Sequence, residues 1–246
     1  MRRLFSVKFS KARILATALL LATAPVAWGQ AGLDWTAVTW NDGDFTNTYT
    51  MGNGVDITIE VTPTALGTLD NLVDFGGTNI LVSSPYVDGP GFTADIFGDS
   101  VDLGLIFNPA SAQGASPIEI LVTFSEPVSD LEFEISDLDW SAAGAGEDAR
   151  IDQVEITSPD APPQLEAVST LPSFDISMST ATARDGVNVS PGSDEGTLRV
   201  FFNDEVSSVL ITYSEASGND NPSSRGIGLI ASLSQVPVEL MSFSVE

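Results

Sequence analysis

Between residues 118 and 156 apolar and polar side chains alternate with a period of two, the mark of half-buried β-strands. Ile118, Ile120, Val122 and Phe124 share one parity, with Glu119 and Thr123 on the other. Leu131, Phe133 and Ile135 alternate with Glu132 and Glu134, and Val154 with Ile156 forms the inward set of a third strand. The Glu126-Pro127 dipeptide is expected to turn the chain between the first two strands. Continuing the second strand puts Asp137 and Asp139 on the parity of the core, roughly 7 Å apart at the usual rise per residue. Asp152 shares the inward parity where the third strand begins. Bare carboxylates do not enter an apolar core unpaired, so the strands are expected to reach a rim of the sheet at these positions. A loop of small residues, 141–146, joins the two ends and leads into Glu147 and Asp148.

The same reading extends over the rest of the chain. Residues 55–61 alternate cleanly, 79–83 and 101–107 are short apolar runs, and 227–233 supplies a closing strand. Gly52-Asn53-Gly54, Gly76-Gly77, Asp88-Gly89-Pro90-Gly91 and Asn108-Pro109 carry turn chemistry between them. No helical period stands out beyond the first residues. Short strands separated by turns predict an all-β fold, an antiparallel two-sheet β-sandwich of jelly-roll-like type. One internal echo is visible. IEILVTFSEPVSDLEFEISD at 118–137 is matched in pattern by TLRVFFNDEVSSVLITYSEA at 197–216. Each reads as an alternating strand, an acidic turn ending in Val-Ser and a second alternating strand, which predicts two similar hairpins. Residues 158–163, 187–196 and 214–226 are polar connections.

Residues 1–29 have the layout of a secretory signal peptide: a basic lead of Arg2, Arg3, Lys8, Lys11 and Arg13, then an apolar run over 14–27. Small residues at Ala27, Gly29 and Ala31 allow cleavage after Gly29 or Ala31. The run is short for a membrane span, so the expectation is an exported chain with no membrane span after cleavage. The sandwich domain is then 30–235, with 236–246 as a C-terminal junction segment.

The leader changes the meaning of the charge. It holds five of the nine basic residues and none of the 34 acids, leaving Arg150, Arg184, Arg199 and Arg225 as the basic residues beyond it. That balance excludes nucleic acid and anionic membrane surfaces as partners and favours cations or a salty medium. Acidity alone does not separate a metal site from a halophile's solubility. Cysteine and histidine are both absent, which removes disulfides, thiolate chemistry, Ser-His triads and Cys-His pairs. With no lysine beyond the leader, a Schiff base is excluded too. The alternative left is a carbohydrate-active enzyme, a two-carboxylate glycoside hydrolase, or its substrate-binding domain. Glu132 and Glu134 are the pair to consider for it, and their plain reading is the solvated face of an amphipathic strand.

Asp137, Asp139, Asp148 and Asp152 form the candidate metal site. Carboxylates and carbonyls without histidine or thiolate select a hard cation, and Ca2+ takes six to eight oxygens at flexible geometry. The spacing is not that of an EF-hand. The competing reading is a solvated acidic loop. Trp140 falls on the parity opposite the core beside these acids, where a sugar ring could stack, and Trp35 and Trp40 lie near the start of the domain. The plain alternative is that each tryptophan covers a sheet end or packs under a loop.

Two resemblances add to this. Residues 236–246, VPVELMSFSVE, resemble the VPVELxSF junction that precedes C-terminal sorting regions in Bacteroidota-type proteins exported by type IX secretion. No sorting region follows within the chain, so either it stops short of one or the secretion reading fails. TFSEPVSDLEFEISDLD, the later Asp-Gln-Val-Glu-Ile and a late Gly-Ile-Gly-Leu strand resemble bacterial surface β-sandwich modules over roughly 118–233. The function expected is a non-catalytic secreted or cell-surface module with a calcium-stabilised rim loop. It would serve adhesion, matrix or carbohydrate contact, with polysaccharide or cell-surface components as partners.

Overall fold

The computed structural model describes residues 39–41, 43–63, 67–69, 71–72, 82–83, 86–88, 102–109, 117–138, 140–141, 150–169, 174–184, 194–216 and 225–235. Its strands, in chain order, begin with β1 Thr46–Thr50, β2 Asp56–Pro63, β3 Gly67–Leu69, β4 Asn71–Leu72, β5 Val82–Ser83, β6 Tyr86–Asp88 and β7 Asp102–Pro109. The central group is β8 Ile118–Val128, β9 Leu131–Ser136, β10 Trp140–Ser141 and β11 Arg150–Thr157. The last are β12 Gln164–Ala167, β13 Phe174–Ser177, β14 Thr180–Ala183, β15 Leu198–Phe201, β16 Val206–Glu215 and β17 Arg225–Gln235. A 3-10 turn, Asp194–Gly196, precedes β15.

Two antiparallel sheets result. One has the order β1-β2-β8-β16-β11-β14-β13, with β10 also paired to β11, and the other has β12-β15-β9-β17-β7-β3, with β6 also on β7. A small pair, β4–β5, stands apart. The expected all-β antiparallel sandwich is what forms, with no α-helix among the described residues. Among the described residues no helix is long and apolar enough to cross a membrane. Residues 1–29, where a signal is expected, and 236–246, the expected junction, lie outside the described residues, as do Gly76-Gly77 and Gly89-Pro90-Gly91. From β7 onward every step except the β10–β11 and β13–β14 hairpins changes sheet, which is the jelly-roll-like habit.

Alternation explains the core. The inward residues of β8 (Ile118, Ile120, Val122, Phe124), of β9 (Leu131, Phe133, Ile135) and of β16 (Val209, Ile211, Tyr213) are all buried in one cluster. Fully burying an aliphatic or phenylalanine side chain of this kind contributes about 1.5–3 kcal/mol, so the two sheets are held face to face chiefly by these rows.

The turn between the first two strands is not where Glu126-Pro127 suggested. β8 runs through both residues to Val128, and the chain bends at Ser129-Asp130, with Asp130 in the left-handed region at φ 51°. The reason is a bulge. Ser208 pairs with Thr123 and Val206 with Val128, so residues 124–127 of β8 lie opposite the single Ser207. Proline has no N–H to lose from the ladder and is tolerated in such a bulge.

The two echoed segments are not hairpins either. β8 and β9 belong to different sheets, and so do β15 and β16. Each echo is an arch that crosses the sandwich, and the two arches interlock: β8 pairs with β16 while β9 pairs with β15. The amide of Phe202 donates to the Leu131 carbonyl (2.9 Å), extending the second pairing into the bend.

Ser207, stranded in the bulge, finds its partner outside the ladder. Its amide donates to Asp160 Oδ2 (2.7 Å), and its hydroxyl donates to the same oxygen. The hydroxyl bond first, then the amide bond, hold the Asp160 carboxyl below its ordinary 3.8. A lowered folded pKa stabilises above the unfolded value and loses that contribution as pH falls through the folded one. Asp160→Ala is therefore expected to melt below the wild type at neutral pH. The gap should close as the pH is taken under 3.8; a gap of constant size in a pH series of thermal melts would contradict this.

The β1–β2 hairpin depends on one glycine. The Gly54 amide donates to the Met51 carbonyl (2.8 Å), and Gly54 sits at φ 88°. A Cβ at Gly52 or Gly54 would touch nothing within 4 Å, so any penalty is one of conformation. Gly54→Ala is expected to cost about 1–2 kcal/mol and Gly52→Ala much less. Chemical denaturation of the two variants side by side checks it.

Candidate functional site

The rim begins where β9 stops. Phe133 and Ile135 point inward, Ser136 is fully buried with its hydroxyl donating to the Gly228 carbonyl (3.3 Å), and the strand ends there. Asp137 then adopts φ 60°, a left-handed conformation that aspartate tolerates better than most residues. This one residue breaks the alternation. Leu138 takes the buried position, its amide donating to the Gly196 carbonyl (3.0 Å), and Asp137 is left half-buried rather than on the core parity. The parity argument for Asp137 is thus corrected, while the strand does end before it, at Ser136.

By Trp140 the chain is in the other sheet. Trp140 pairs with Ile151 and Ser141 with Arg150, so β10 lies against the start of β11. Trp140 is half-buried there. Next along β11 is Asp152, only 5 % exposed, on the inward parity of Val154 and Ile156 as expected. Its carboxyl is held by the Tyr213 hydroxyl, which donates to Asp152 Oδ1 (2.7 Å). Tyr213 stands opposite Val154 and reaches diagonally toward the rim. A buried carboxyl is costly unless hydrogen-bonded, and this bond answers that cost. In the same register Asp152 faces Glu215.

Of the four aspartates, Asp137 lies in the crossing between β9 and β10, and Asp152 lies on β11 next to Ile151, the register partner of Trp140. Asp139 and Asp148 lie outside the described residues, and so does Glu147. Among the described residues no group of three or more His, Cys, Asp or Glu side chains is arranged to hold a metal. Sequence reasoning missed Tyr213 and Glu215 as neighbours of the rim. Tyr213 carries a signal, since it continues the inward parity of Val209 and Ile211; the partnership with Asp152 does not, because the β11–β16 register joins residues about sixty positions apart.

The other candidates fall elsewhere. Trp40 is buried, 7 % exposed, its ring 6.5 Å from that of Tyr49. The Tyr49 hydroxyl donates to the Thr39 carbonyl (3.0 Å), anchoring the segment, and burial with Asp44 nearby pushes its pKa up to about 12. Trp40 thus packs in the core and is no exposed sugar platform; Trp35 lies outside the described residues. Glu132 and Glu134 are on the outer face of the second sheet. Arg199 Nε lies 3.1 Å from Glu132 Oε1 and Nη2 lies 2.9 Å from Glu134 Oε1, and Glu166 is its register partner on β12. The hydrogen bond to Glu134 is the main influence raising the Arg199 pKa. The two glutamates sit side by side under one guanidinium, unlike the opposed carboxylates of a glycosidase cleft.

No family model, curated protein or solved structure matches this chain.

Proposed function

We propose that the chain is an exported, non-catalytic β-sandwich module of the bacterial cell surface. In this reading its rim loop is stabilised by a calcium ion held through Asp137, Asp139, Asp148 and Asp152. The module serves adhesion, matrix or carbohydrate contact, with Trp140 beside the ion as the aromatic surface. The observation that supports the ion is the sheet crossing itself. Asp137 follows the last residue of β9 in one sheet, and the buried Asp152 is the third residue of β11 in the other. Oxygen ligands alone select a hard cation such as calcium. Export is supported by the basic and apolar leader and by the likeness of 236–246 to a sorting junction.

Equilibrium dialysis against calcium tests the ion directly. The wild type is expected to take up one calcium per chain, and Asp137→Asn and Asp152→Asn to lose most of that uptake. Equal uptake by all three, or none by the wild type, would remove the ion from the reading. A polysaccharide panel run with wild type and Trp140→Ala then separates carbohydrate contact from the other surface roles.

A further inference from the structure

We draw no further inference here: the strongest candidate, the uncharged edge strand β1 with the exposed Phe45 beside it and the threonine-lined outer face of the same sheet, carries nothing because nothing among the described residues shows what pairs with or covers it.

Discussion

Tyr213→Phe is expected to lower the melting temperature by roughly 2–10 °C, although it deletes a single oxygen. Both ends of the bond it removes are interior: Tyr213 and Asp152 are buried, and the hydroxyl donates to the carboxyl at 2.7 Å. Water cannot replace the donor freely there, so the change costs the desolvation of the acceptor, about 1–3 kcal/mol. The ring stays in the core, so packing is nearly unchanged. Thr48→Ala is the proper contrast. The Thr48 hydroxyl also has a partner, Thr58 at 2.9 Å, but the pair is on the exposed face, where a substitution usually moves stability by no more than about 0.5 kcal/mol. Asp152→Asn adds a second contrast, because the amide oxygen still accepts from Tyr213. It should melt well above Tyr213→Phe. If Tyr213→Phe and Thr48→Ala melt together with the wild type, the buried bond contributes nothing to stability.

Asp152 also marks how far the sequence could be read. Alternation is local, so the central strands, their inward faces and the inward parity of Asp152 were legible from single segments, whereas its burial was not. Arch and hairpin are not local. The stretch ending in Glu-Pro-Val-Ser-Asp reads the same whether the next strand pairs with the last or crosses to the opposite sheet. The choice depends on β16, whose register with β8 creates the bulge at Ser207. Asp137 failed for a different reason: parity counting assumes extended backbone, and one residue at φ 60° resets it so that Leu138 inherits the interior. Pairings such as Asp152 with Tyr213 and Glu215 have no local trace at all. They arise from the register of β11 against β16, two strands far apart in the chain.

Calcium and simple salt are expected to stabilise the chain in distinguishable ways. With 34 acids against nine basic residues, sodium chloride alone should raise the melting temperature. It shortens the Debye length from about 8 Å at physiological ionic strength to about 3 Å at 1 M and so quiets repulsion among exposed carboxylates. That effect is diffuse: it grows gradually, does not saturate at low concentration, and survives any one substitution at the rim. A bound calcium acts by mass action instead. At a hundredfold excess over its dissociation constant it contributes about 2.7 kcal/mol, which corresponds to roughly 5–10 °C for a chain of this size. The rise should saturate, reverse with chelator and be absent from Asp152→Asn. That variant keeps an acceptor for Tyr213 while losing the charge, so its loss of response reports on the ion rather than on the fold. Melting curves in fixed 1 M sodium chloride, with calcium titrated on top, separate the two, because screening is already complete there. A calcium response that vanishes in that salt, or that Asp152→Asn retains in full, means the acids at the rim are merely screened, and the sheet crossing holds no ion.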